Sequence, residues 1–135
     1  ILLGIQNHQA KMMDKLLHVN TKKQIKESDL LKIIPPAGFL DMIALEKNAE
    51  LIITDSGGVQ KEAYFFEKPC IILRPQTEWL EIVETKSAII TDTNSEKILK
   101  ATDYFLNNKD LNFPPVFGDG NAALFIAQEI LSQLS

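Results

Sequence analysis

The sequence predicts an α/β domain: a parallel sheet flanked by helices on both faces. Three observations carry that expectation. Short apolar runs near residues 15–18, 32–34, 51–54, 70–74 and 88–91 alternate with stretches of helical spacing. The run Leu51-Ile52-Ile53 has no polar position, which suits a parallel strand covered on both sides. The segment from Leu51 to Leu73 reads strand, helix, strand, a unit suited to a right-handed crossover.

At 135 residues the chain is one domain's worth, and its 45% apolar content can build an ordinary core. The net charge of −4 comes from interspersed acids and bases. That pattern argues against a nucleic-acid surface, and no apolar run is long enough for a membrane span. Ile1-Leu2-Leu3-Gly4-Ile5 lacks the basic stretch and cleavage pattern of a secretion leader. The single cysteine, Cys70, allows no intrachain disulfide and fits a reducing cytoplasm. It starts a buried strand with no base near it in sequence, so it reads as a core thiol. Repeats, low-complexity tracts and linkers are absent from the sequence.

In chain order, residues 1–17 show mixed helical spacing, with a helix expected over about 9–16. Residues 21–28 are polar with helical propensity. Lys32-Ile33-Ile34 reads as a short strand stopped by Pro35-Pro36. Phe39 to Lys47 reads as a helix with Leu40, Ile43 and Ala44 on one face. Lys68-Pro69 ends the helix after Leu51–Ile53, and the strand at 70–74 follows. Thr93-Asn94-Ser95-Glu96 has capping-box form ahead of a helix with Ile98, Leu99, Phe105 and Leu106 as its apolar positions. Asn107-Asn108 ends it. Residues 111–120 read as irregular. Gly118-Asp119-Gly120 launches a last helix striped by Ala123, Ile126, Ile130 and Leu134, with Asp119 a candidate cap.

The chemistry concentrates in Leu51-Ile52-Ile53-Thr54-Asp55-Ser56-Gly57-Gly58-Val59-Gln60-Lys61-Glu62. A glycine turn between a strand and a helix exposes N–H groups beside a positive dipole end, where a phosphate can sit. Gly57 and Gly58 permit positive φ and put no Cβ in a ligand's way. Glu62 stands one turn into the helix, where its carboxylate can accept from ribose hydroxyls. Asp55 suits a cap on the turn. Strand-turn-helix junctions with two glycines also occur in proteins that hold no phosphate.

Thr54 to Ala63, then Lys68-Pro69-Cys70, Leu73-Arg74-Pro75-Gln76-Thr77-Glu78, Phe117-Gly118-Asp119-Gly120 and, earlier, Pro36-Ala37-Gly38-Phe39-Leu40 occur in a telling order. Together they resemble the UDP-N-acetylglucosamine 2-epimerase family, whose block runs TDSGG-hydrophobic-Q-E-E-A, then GKP, then R-x-x-T-E-R-P-E. The resemblance covers roughly the last hundred residues. It implies the carboxyl-terminal half of a GT-B type fold, Rossmann-like. Residues 1–135 would be the UDP-binding domain of a two-domain enzyme whose amino-terminal domain lies outside this chain, as the opening on Ile1 also suggests.

The implied reaction inverts C2 of a UDP-N-acetylhexosamine by eliminating UDP and adding it back. It needs no metal or cofactor, and the full enzyme is expected to be a cytoplasmic homodimer. The catalytic carboxylates belong to the absent half. What this chain is expected to supply is the nucleotide grip: Ser56, Gly57, Gly58 and Glu62, with Arg74 at the end of its strand. Met42 occupies the position that packs on uracil in the family, with plain core as the alternative. His18 matches a histidine at a strand end near the cleft, with a structural histidine as the alternative. Trp79 replaces an arginine that helps bind the diphosphate, so the identity of the sugar is open. A similar Thr-Glu-Trp is associated with relatives acting on diacetylated or carboxylated UDP-sugars, and packing under the loop is the other reading of Trp79. A glycosyltransferase of the same architecture and a non-enzymatic nucleotide-sugar sensor are the rival functions.

Overall fold

The computed structural model describes residues 1–4 and 19–134. The helix expected over 9–16, the strand near 15–18 and His18 lie outside the described residues. Four described strands form one parallel sheet in the order β1 (Leu2–Gly4), β2 (Ile52–Thr54), β3 (Cys70–Ile72), β4 (Ala88–Ile90). Register is in step throughout: Leu2 pairs with Ile52, Ile52 with Cys70, and Cys70 with Ala88. Six described helices accompany them: α1 (Val19–Glu27), α2 (Phe39–Asn48), α3 (Gly57–Phe65), α4 (Leu80–Glu84), α5 (Ser95–Asn107) and α6 (Ala122–Gln133).

Side chains alternate across the strands, so the sheet has two apolar layers. Ile52, Cys70 and Ile72 face Ala49, Ala63, Tyr64 and Ile82, from the end of α2 and from α3 and α4. Leu51 and Ile71 face Ala101 and Phe105 of α5. Leu51, Ile52, Ile71 and Ile72 are fully buried, as two-sided coverage of a parallel sheet requires. Each crossover then returns the chain to the same end of the sheet, so the loops after β2 and β3 lie side by side.

Several elements differ from the sequence expectations. Residues 32–34 do not form a strand; Ile33 is 70% exposed, and β1 takes the sheet position beside β2. β-propensity alone does not make a strand; burial and ladder pairing decide, and Ile33 and Ile34 are left exposed. The strand at 2–4 was not legible, since three residues carry too little periodicity to show against a helical background. In α2 the covered face is Met42, Ile43, Glu46 and Ala49, while Leu40 is 77% exposed. In α5, Ile98, Ala101 and Phe105 turn inward and Leu99 faces out. Its cap is Asn94, whose Oδ1 accepts from the Lys97 N–H at 2.9 Å, so the cap falls one residue later than the capping-box reading of Thr93. The short α4 has no counterpart among the helices expected from the sequence. The α6 stripe of Ala123, Ile126, Ile130 and Leu134 is helical but exposed. Asp119 Oδ1 accepts from the Asn121 N–H at 3.0 Å, which orders the turn before α6 without capping it.

The end of α3 is a Schellman motif: Lys68 N–H donates to the Ala63 carbonyl and Glu67 N–H to that of Tyr64. Glu67 occupies the left-handed position, at φ 55°, where glycine is the usual residue. A side chain there costs roughly 1 kcal/mol. Glu67→Gly is therefore expected to raise stability by about 1 kcal/mol in chemical denaturation, less whatever glycine regains in unfolded-state entropy; a loss of stability would show that the left-handed turn is not strained.

Candidate functional site

The turn between β2 and α3 stands at the carboxyl edge of the sheet. Thr54 is fully buried and its Oγ1 accepts from the Ser56 N–H at 3.1 Å. That bond takes one of the three amides expected to meet a ligand. The N–H groups of Gly57 and Gly58, in the first turn of α3, have no backbone acceptor among the described residues, and the Ser56 hydroxyl does not cap the helix. These groups and the helix dipole together favour an anion. Neither glycine has positive φ. Gly57 matters for space instead: a Cβ there would meet Glu78 Oε2 at 3.2 Å and Arg74 Nη1 at 3.7 Å. Around Gly58 a Cβ would touch only Ser56 Oγ, at 3.9 Å.

The loop after β3 lies over this turn. Arg74 and Glu78 form a bidentate pair at 2.9 and 3.0 Å. The guanidinium holds the Glu78 carboxyl below its ordinary value. Arg74 thus reaches the glycine turn, as the sequence suggested, but with its charge shared. The pair is partly exposed and so is weak enough to exchange partners.

Behind the turn a second set of contacts fixes its position. Trp79 Nε1–H donates to the Gly57 carbonyl at 2.8 Å. Trp79 N–H donates to Thr77 Oγ1 at 3.1 Å, and the Thr77 hydroxyl donates to Gln60 Oε1 at 2.6 Å. The indole packs edge-on against Phe117, which also touches Tyr64 and Phe65. The Lys61 amine sits 4.3 Å from the Trp79 ring centre and 4.5 Å from that of Phe117. Tyr64 donates its hydroxyl proton to the Pro114 carbonyl. The Phe117-Gly118-Asp119-Gly120 segment is in this way clamped to α3 next to Trp79. The indole N–H is spent on a backbone carbonyl and the ring on packing, which is the supporting role weighed for it above.

Glu62 is half-buried on α3, and the buried Glu46 of α2 lies against it. Met42 sits half-buried on the first full turn of the same α2. The Cys70 thiol is buried in β3 and pushed up to about 12, by desolvation first and then by the Glu46 charge. At that value it is an inert thiol. Among the described residues no group of three or more His, Cys, Asp or Glu could hold a metal ion. No helix among them is long and apolar enough to cross a membrane. An open groove of about 850 Å³ runs along α2 past Ile34, Pro36, Ala44 and Asn48, away from the glycine turn and largely apolar. It holds none of the phosphate-seeking groups.

Sequence reasoning missed Gln60, Thr77, Lys61 and Glu46. Gln60 and Thr77 stood inside the motif, but their hydrogen bond joins residues 17 apart. Glu46 left one signal: an acid at the i+3 and i+4 spacing of Ile43 and Met42.

Fold and turn together define the Rossmann-like half of the GT-B architecture. The model of the UDP-N-acetylglucosamine 2-epimerase family matches residues 5–131, and the chain belongs to that family. The UDP-N-acetylglucosamine 2-epimerase of Methanocaldococcus jannaschii is 46% identical over 115 residues, which is 78% of this chain and 31% of that protein. Its solved structure superposes with a TM-score of 0.79 at 39% identity, covering 96% of this chain and 35% of that one. A second structure of it, in complex with UDP-GlcNAc and UDP, gives 0.78. The UDP-2,3-diacetamido-2,3-dideoxy-D-glucuronate 2-epimerase of Pseudomonas aeruginosa is 36% identical over 115 residues, 83% of this chain and 32% of that protein. The chain thus spans about a third of the length of these relatives.

Trp79→Phe keeps the ring contacts and removes the donor to Gly57. It is expected to cost about 1 kcal/mol in urea denaturation. An unchanged midpoint would mean that water replaces the indole N–H without loss.

Proposed function

We propose that the chain is the carboxyl-terminal, nucleotide-binding part of a cytoplasmic, dimeric UDP-N-acetylhexosamine 2-epimerase. The observation that carries the reading is the start of α3: two amides without backbone acceptors, an uncommitted N-cap hydroxyl and Arg74 within reach. The M. jannaschii relative solved with UDP-GlcNAc and UDP supports the ligand class.

In this reading the diphosphate meets the N–H groups of Gly57 and Gly58 and the Ser56 hydroxyl. Arg74 exchanges Glu78 for a phosphate oxygen. Glu62 accepts from the ribose, and Met42 covers one face of the uracil. Trp79 stands behind the turn and holds it. In the elimination the C2 proton goes to a base, the C1–O bond breaks, and its electron pair leaves on the diphosphate. That charge grows as the bond breaks, so a helix N-terminus aimed at it lowers the barrier and does more than bind. Re-addition of UDP with a proton delivered to the other face of C2 completes the inversion. The carboxylates for these proton transfers are placed outside this chain. The P. aeruginosa relative supports a diacetamido-uronate sugar as the second substrate candidate.

Calorimetry should show that the isolated chain binds UDP weakly, and that Glu62→Ala reduces the heat; equal heat in both would remove Glu62 from the site. The full-length protein should release the 2-epimer from a UDP-N-acetylhexosamine without added metal or nicotinamide cofactor. Turnover abolished by a chelator would overturn the metal-free route, and comparing UDP-N-acetylglucosamine with its diacetamido-uronate analogue decides the sugar.

A further inference from the structure

Between α2 and α3 lies a carboxyl group that the nucleotide reading leaves unused. Glu46 is 1% exposed, and neither of its oxygens has a hydrogen-bond partner among the described residues. It sits on the inward face of α2, between Met42 and Ala49. Among the described residues, the titratable groups facing it are Glu62 from α3 and the Cys70 thiol from β3. Among the described residues no lysine or arginine forms an ion pair with it. Lys61, the neighbour of Glu62, is engaged with the rings of Trp79 and Phe117.

An ionised Glu46 facing the half-buried Glu62 would be a buried carboxylate with no donor and no counter-charge among the described residues. One proton resolves both defects. A neutral Glu46 becomes a donor to Glu62, and the pair shares one negative charge rather than opposing two. Burial first, then the Glu62 charge and the hydrogen bond to it, push Glu46 from 4.5 up to about 7.

The geometry points to Glu46 as a positioning residue: as a neutral acid it hydrogen-bonds Glu62 and fixes the carboxylate that accepts from the ribose. This deepens the nucleotide reading and rests on it. The proton on Glu46 then links nucleotide grip to pH. Above neutrality Glu46 ionises, the two carboxylates repel, and Glu62 loses its fixed orientation. Folding is linked in the same direction. The folded-state value lies above the ordinary carboxyl value, so the folded chain holds a proton that the unfolded chain releases. The resulting stabilisation is complete below about 4.5 and is lost as pH rises through about 7.

The test measures UDP affinity of the full-length protein between pH 6 and pH 8.5, alongside Glu46→Gln and Glu46→Leu. UDP's own ionisation is common to all three, so ratios to Glu46→Gln isolate the carboxyl. Glutamine keeps a donor and no charge. The wild-type Kd should rise about tenfold relative to Glu46→Gln across that range. Glu46→Leu removes the donor and should weaken binding about fivefold or more at every pH relative to Glu46→Gln. Thermal midpoints should fall with pH through neutrality in the wild type relative to Glu46→Gln, and a protonated-carboxyl infrared band lost near neutrality should be absent from Glu46→Gln. If UDP binds all three proteins equally at every pH, Glu46 is structural and the positioning role is overturned, while the nucleotide reading stands. If none of the three binds UDP at any pH, the nucleotide reading fails and takes this role with it. Absence of the infrared band in the wild type at pH 6 overturns the neutral acid itself.

Discussion

The parallel pairing of β2 with β3 is the constraint that the rest of the site obeys. Both strands are buried, and their register is in step from Ile52–Cys70 to Thr54–Ile72. Two parallel strands joined by a crossover helix end at the same edge. The glycine turn after β2 and the loop after β3 are therefore adjacent without any contact of their own having to enforce it. Leu73 N–H donates to the Thr54 carbonyl at 2.9 Å, so the ladder continues up to the point where both chains leave the sheet. The glycine turn and the Arg74 loop are both mounted on that edge.

Polar groups around the turn divide by what they can still do. The Ser56 N–H, the Trp79 indole, Thr77 and the Gln60 carbonyl oxygen are committed to holding the turn. The amides of Gly57 and Gly58 are not held by backbone. Donors on a rigid support need little reorganisation when negative charge arrives beside them. The aromatic cluster of Tyr64, Phe65, Trp79 and Phe117 adds stiffness and brings the distant segment at residues 113–118 into the same assembly.

Charge is handled differently on the two sides of α3. Toward the β3 loop, Arg74 and Glu78 neutralise each other in a partly exposed position where partners can exchange. Toward α2, the buried Glu46 meets the half-buried Glu62, two acids together, with no cation paired to Glu46 among the described residues. The first pair is suited to being opened by an anion. The second is suited to holding one carboxylate still.

Local pattern alone determined most of the alternation of strands and helices from Phe39 onward, the strand-to-helix junction that carries Ser56, Gly57 and Gly58, and the family to which the chain belongs. Those signals are dense in sequence: β-branched runs, paired glycines, and an ordered block from Thr54 to Glu78. Only the tertiary structure decided which strand lies beside β2, which face of α2 and α5 is covered, what Trp79 does, and that a carboxyl from α2 meets Glu62. Each of these depends on contacts between residues far apart in the chain, as in the pairing of Leu2–Gly4 with Ile52–Thr54. Periodicity says that a face is apolar, but not whether something will cover it.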